Sequence, residues 1–189
     1  PVIICDDVDV AAVAALCVKT KYRNSGQVCV APTRFLVARS ILDEFEAEFT
    51  RATAALTLGA GTEAGVDVGP MCSARRHDDF AALVEDAIAH GAVATTGGAS
   101  LTEELGGHFY APTVLRDIPL EARVLQEEPF GPVALLVAYD DLEEAVTIAN
   151  NTPYGLAGYV FTKDMNRAQL LSERIRVGMV GVNTFAIAN

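Results

Sequence analysis

The 189-residue chain predicts an α/β fold: a mostly parallel sheet with helices on both faces. Strand-length apolar runs alternate with segments whose apolar residues recur at helical spacing. Several of these runs are apolar at consecutive positions, as strands are when helices cover both sides of the sheet. No internal repeat, low-complexity tract or Ser/Pro linker interrupts the alternation, so one domain is expected.

In order along the chain, residues 1–4 read as a buried strand and residues 9–23 as an alanine-rich helix. A polar, glycine-containing loop follows, then a strand at residues 35–38. Ile41, Leu42, Phe45, Phe49, Ala52 and Leu56 fall near a period of 3.6, with Ser40 and Asp43 resembling a capping box. After a loop at residues 59–70, Phe80, Leu83, Val84, Ala87 and Ile88 form a helical stripe that Gly91 stops. A strand at residues 92–95 and a second loop at 97–107 lead to a long apolar run at 133–139. Leu142, Ala145, Val146 and Ala149 make a helix opened by Asp140 or Asp141. A strand at 158–161 precedes a helix marked by Ala168, Leu171 and Ile175, with Asp164 as N-cap and Gly178 as the stop. The last strand is at residues 179–182.

Composition narrows the function. With 51% hydrophobic and 21% charged residues, the chain can bury a core and is not of disordered type. Fourteen basic against 25 acidic residues give a net charge of −11, which disfavours nucleic acid and anionic membrane surfaces as partners. No apolar run approaches the ~18 residues of a membrane span. The first run ends at Asp6 and Asp7, which is not the pattern of a signal peptide. The four cysteines lack CxxC spacing, so neither a disulfide framework nor a metal site is expected, and a reducing cytoplasm fits. The abrupt start at Pro1, and a strand-like segment at 177–183 so near the last residue, read as a piece of a longer protein.

The chemistry-bearing stretch is Tyr22-Arg23-Asn24-Ser25-Gly26-Gln27-Val28-Cys29-Val30-Ala31-Pro32. A thiolate in a loop is a strong nucleophile if substrate can reach it, and converging backbone N–H groups could stabilise an oxyanion beside it. A cysteine is also a small hydrophobe. Cys5, in an apolar strand, and Cys17, on a helix, fit that role, and Cys72 reads as structural. Lys19 and Lys21 read as a positive helix end beside Arg23.

The run Asn24-x-Gly26-Gln27-x-Cys29 resembles the active-site cysteine motif of the NAD(P)-dependent aldehyde dehydrogenase superfamily. Glu127-Glu128-Pro129-Phe130-Gly131-Pro132 resembles its E-x-F-G-P motif. Asn150-Asn151-Thr152-Pro153-Tyr154-Gly155-Leu156 and Gly178-Met179-Val180-Gly181-Val182-Asn183 are similar to further family segments, so the resemblance covers essentially the whole chain. It implies that Cys29 attacks an aldehyde, with NAD or NADP as cofactor. It further implies that Glu128 binds the nicotinamide ribose, where it would otherwise be a solvated charge beside Glu127. Phe130 would pack near the nicotinamide.

Arg23, six residues before Cys29, matches the arginine with which succinate-semialdehyde dehydrogenases grip a distal carboxylate, a task suited to a planar guanidinium. Without that resemblance it would be an exposed arginine at a helix end. Two departures stand out. Ala31 occupies the place of the second cysteine that forms a redox switch in some of those enzymes, so no switch is expected. The terminal loop, residues 184–189, is apolar where they offer a serine, and Phe185 would provide an aromatic wall suited to an aromatic or longer aldehyde.

By the same resemblance, residues 1–189 would be the catalytic domain of a longer enzyme. The general base, the oxyanion-hole asparagine, the dinucleotide-binding domain and a C-terminal tail would lie outside them, and the isolated piece would be nearly inactive. A homodimer or homotetramer is expected for the whole enzyme. Three rivals remain: a CoA-acylating semialdehyde dehydrogenase, a non-catalytic relative serving as a binding or structural subunit, and a cofactor-free cysteine hydrolase. Against the last, His77, His90 and His108 lie away from the cysteine motif.

Overall fold

The computed structural model describes residues 1–187. Seven strands form one sheet: β1 Val2–Ile4, β2 Arg34–Ala38, β3 Val93–Thr96, β4 Thr113–Arg116, β5 Val133–Tyr139, β6 Ala157–Phe161 and β7 Met179–Val182, in the order β3-β4-β5-β2-β1-β6-β7. Every neighbouring pair is parallel except β3 with β4. The helices are α1 Val10–Tyr22, α2 Leu42–Ala54, α3 Ala74–Ala89, the short turns α4 Thr102–Leu105 and α5 Arg123–Gln126, α6 Leu142–Asn150 and α7 Met165–Arg174.

Alternate residues of the central strands enter two separate cores. Val2, Ile4, Phe35, Val37, Ala134 and Leu136 pack against α1 and α2, through Ala14, Cys17, Tyr22, Phe45 and Phe49. Ile3, Leu36, Leu135 and Val137 pack against α3, α6 and α7, through Val84, Ala145 and Leu171. That period of two explains why β1, β2 and most of β5 are buried on both faces and read as unbroken apolar runs.

The sequence misplaces some local features. Ser40 forms no capping box: it lies inside a 3-10 turn, Arg39–Ile41, and α2 begins behind Ile41 with no side-chain cap. α7 ends at Arg174, where Ile175 turns extended, so Gly178 is not its stop. Gly178 instead donates its N–H to the Gly155 carbonyl at 2.7 Å, bracing the loop before β6. β4 was not anticipated, nor were α4 and α5. The caps at Asp141 and Asp164 are formed as the sequence predicts, and Asp9 caps α1 in the same way, each side chain accepting from an amide in the first turn of its helix.

Past the end of β1, Asp7 ties that strand to the turn leading into α7. Its Oδ2 accepts from the Thr162 hydroxyl at 2.9 Å, the Lys163 N–H at 2.9 Å and the Asp164 N–H at 3.0 Å. Burial raises its pKa, but these three donors outweigh burial and hold it below the usual aspartate value of 3.8. A lowered carboxylate pKa stabilises the fold above 3.8, and that contribution is lost as pH falls through the lower folded value. Asp7→Ala is expected to cost about 2 kcal/mol at pH 7 in urea unfolding, with a smaller difference from wild type at the acid end of the titration.

Candidate active site

The loop after α1 is folded back on itself. Asn24 and Ser25 take left-handed φ values of 51° and 56°, followed by Gly26 at 72°. Such a run is tolerated in short polar residues whose side chains find hydrogen bonds, Asn24 locally and Ser25 across to a distant loop. Asn24 Nδ2 donates to the Gln27 carbonyl at 3.1 Å, Gln27 N–H donates to the Asn24 carbonyl at 3.0 Å, and Ser25 Oγ donates to the Gly69 carbonyl at 2.6 Å. The next turn, residues 28–31, is closed by the Ala31 N–H on the Val28 carbonyl at 2.8 Å and carries Cys29 exposed within it. From β6, the Tyr159 hydroxyl donates to the Val30 carbonyl at 2.7 Å, fixing the turn to the sheet. Burial raises the Tyr159 pKa to about 12, the Cys29 charge also raising it and Arg23 opposing, which places all three groups in one neighbourhood.

Cys29 stands at the amino ends of the strands, on the edge opposite to the one where open α/β sheets usually bind ligands. One cleft there is bordered by Cys29, Thr33, Arg34, Glu128, Pro129 and the loop from Tyr154 to Ala157. A second holds Arg23 and Phe185 together with Lys19, Thr20 and Val28, and Ala31 borders both. The predicted residues are thus sorted: Cys29 with Glu128 on one side of the turn, Arg23 with Phe185 on the other. Phe130 is half-buried and borders neither cleft. Phe185 packs edge-on to Tyr159, with ring centroids 4.6 Å apart, and also meets Phe161. The last part of the predicted terminal loop, residues 188–189, lies outside the described residues.

The two adjacent glutamates differ in a way the sequence does not reveal. Arg123, one helical turn earlier, takes Glu127 in a two-point pair at 2.7 and 3.2 Å and lowers its pKa. Among the described residues Glu128 makes no salt bridge, so its carboxylate is available to hydroxyl donors. Arg34 spans the floor of the cleft, its guanidinium donating to the carbonyls of Ile148 at 3.2 Å, Ala149 at 3.0 Å and Asn151 at 3.3 Å. It thereby closes the end of α6 and steadies the loop that forms the cleft wall.

Of the remaining cysteines, Cys5 and Cys17 are buried, and burial raises both thiol pKa values. Cys72, expected to be structural, is exposed, and its N–H donates to Gln27 Oε1 at 3.0 Å. Lys21, expected at a charged helix end, is fully buried. The pattern that could have located it is the stripe Ala14, Cys17, Val18, Lys21, Tyr22, in which it occupies a core position.

The sequence profile of the aldehyde dehydrogenase family matches residues 1–189. The chain belongs to that family. It is 46% identical over 188 residues to a putative 4-(hydroxymethyl)benzenesulfonate dehydrogenase of Comamonas testosteroni, covering 100% of this chain and 39% of that protein. It is 41% identical over 189 residues to a succinate-semialdehyde dehydrogenase of Paenarthrobacter nicotinovorans, covering 100% of this chain and 42% of that protein. A crystal structure of a Mycobacterium tuberculosis aldehyde dehydrogenase complexed with NAD+ superposes with a TM-score of 0.93 at 37% identity, over 98% of this chain and 38% of the other. The aldehyde dehydrogenase chain described here therefore spans about two fifths of the length of its relatives. No helix among the described residues is long and apolar enough to cross a membrane, and no group of three or more His, Cys, Asp or Glu is placed to hold a metal ion.

Proposed function

We propose that residues 1–189 form the catalytic domain of a longer cytoplasmic, homo-oligomeric enzyme that oxidises an aldehyde with a distal anionic group to the acid, using NAD or NADP. The observation that carries this reading is the position of Cys29 on a turn between two clefts, one bordered by an unpaired carboxylate and the other by a guanidinium and an aromatic ring.

Cys29 Sγ, as thiolate, forms a bond to the aldehyde carbon, giving a thiohemiacetal with its charge on oxygen. The aldehyde's remaining chain extends past Ala31 along Phe185 toward Arg23. Glu128 suits the ribose end of a dinucleotide, since one carboxylate can accept from two hydroxyls and this one is free of an ion pair in the cleft that also exposes Cys29. A nicotinamide bound there would supply a hydride acceptor. Loss of hydride leaves a thioester on Cys29, and water breaks the C–S bond to release the acid and regenerate the thiol. The family's general base and oxyanion-hole asparagine would come from outside these residues. The 189-residue chain alone should therefore turn over aldehyde negligibly, and NADH formation by it at the whole enzyme's rate would overturn the domain assignment.

The two relatives support the distal anion, for one is named for a sulfonate substrate and the other for a carboxylate. In the whole enzyme, Arg23→Ala is expected to lower kcat/KM roughly 100-fold for succinate semialdehyde and for a formylbenzenesulfonate, as the loss of a charge-assisted pair would. Benzaldehyde oxidation should change less than about threefold. Equal losses on charged and neutral aldehydes would remove Arg23 from substrate recognition.

A further inference from the structure

Lys21 is fully buried one residue before the end of α1, too deep to touch a ligand. Its ammonium has three protons to donate, yet its one hydrogen bond among the described residues is to Thr33 Oγ1, a long 3.4 Å. A methionine or leucine would fill such a site without the cost of desolvating a charge. The ammonium instead sits at the seam between the two loops that carry the site. It lies 3.3 Å from the point where a Cβ on Gly26 would stand, and that point is itself 2.2 Å from the Gly131 carbonyl oxygen. Gly26 belongs to the Cys29 loop and Gly131 to the Glu128 strap, while Thr33 borders the cleft that contains both Cys29 and Glu128.

We propose that Lys21 is a positioning residue, whose buried ammonium sits at the seam between the Cys29 loop and the Glu128 strap and sets the place of the strap, and with it that of Glu128. The proposal rests on the reading that Glu128 serves the dinucleotide. Lys21 acts through Glu128 and meets neither cofactor nor aldehyde. The charged group bearing on it is Glu128, from the strap, whereas Thr33 and the backbone at Gly26 are uncharged. Burial lowers the Lys21 pKa from 10.5 to about 7, and Glu128 opposes that fall. The positioning charge is thus present below about pH 7 and lost above it.

Two measurements test this. In the 189-residue chain, the Lys21 ε-methylene NMR signals should titrate with a midpoint near pH 7, and Glu128→Gln should move that midpoint lower. A midpoint unmoved by Glu128→Gln would overturn the proposal, because a lysine with a merely structural role would not respond. In the whole enzyme, Lys21→Met and Glu128→Gln should each raise KM for the dinucleotide about 3- to 10-fold, with a smaller change in kcat, and the double variant should add nothing further. Wild-type KM should rise as pH passes 7, and Lys21→Met should flatten that rise. Additive KM effects, or an unchanged pH profile, would also overturn it. If Lys21→Met fails to fold, the titration of wild type and Glu128→Gln still decides. If the whole enzyme oxidises no aldehyde with NAD or NADP, the functional reading falls, while the coupling of Lys21 to Glu128 stands or falls by its own titration.

Discussion

Cys29→Ser in the whole enzyme should lower kcat for aldehyde oxidation at least about a thousandfold and leave the fold intact. A thiol yields a useful fraction of nucleophile near neutral pH, whereas a serine hydroxyl needs an adjacent base. Among the described residues no histidine borders either cleft. His77 is engaged by Asp78 at 3.1 Å and Ser100 at 2.9 Å, and His90 by the Asp86 carbonyl at 2.7 Å, both on α3 or at its end. Cys29 is exposed on a surface turn, so losing its sulfur opens no cavity and should leave the unfolding midpoint unchanged. The chain offers an independent check. Under native conditions iodoacetamide should label Cys29 and Cys72, which are exposed, and spare Cys5 and Cys17, which are buried with raised thiol pKa values. Cys29→Ser should remove one adduct by intact mass. A serine variant with near wild-type turnover would remove Cys29 from the chemistry.

The elements legible in the sequence were those whose own side chains carry the period. α3 and α6 show apolar stripes at helical spacing, and β5 has seven residues, nearly all buried, so each declares itself locally. β4 does not. Its four residues, Thr113–Arg116, begin and end on polar side chains, and they form a strand because β5 on one side and β3 on the other supply their hydrogen bonds. That information is long-range and absent from a short window.

The site divides in the same way. The motif marks Cys29 and Glu128, but Arg123 on the short α5 is what leaves Glu128 rather than Glu127 unpaired. Spacing placed Arg23 six residues from Cys29; only the fold of the turn directs Arg23 and Phe185 to a different cleft from Glu128. Lys19 and Lys21 look equivalent in sequence, yet two positions along a helix is about 200° of rotation, so one faces solvent and the other enters the core.

Gly26→Ala should be among the most destabilising single-methyl additions in the chain, at about 3–4 kcal/mol. Two effects add. The backbone at φ 72° is left-handed, which costs a residue with a Cβ about 1 kcal/mol. The added carbon would also lie 2.2 Å from the Gly131 carbonyl oxygen and 2.7 Å from its carbon, and backbone atoms cannot rotate away as a flexible side chain can. Nor can Gly131 retreat freely, since a Cβ there would already stand 2.4 Å from the buried Phe80 ring, which packs edge-on against Tyr110. The strap is thus held from behind, and the seam between the Cys29 loop and the Glu128 strap has to open. Gly65 supplies the control. Its φ of 81° is also positive, but nothing lies within 4 Å of its Cβ position, so Gly65→Ala should cost only the backbone share of about 1 kcal/mol. Urea unfolding of the two variants separates strain from contact. A Gly26→Ala variant no less stable than Gly65→Ala would mean that the loops do not bear on one another through Gly26. A larger loss, together with a raised KM for the dinucleotide in the whole enzyme, would show that the glycines of the two motifs serve one purpose: letting the Cys29 loop and the Glu128 strap meet without a side chain between them.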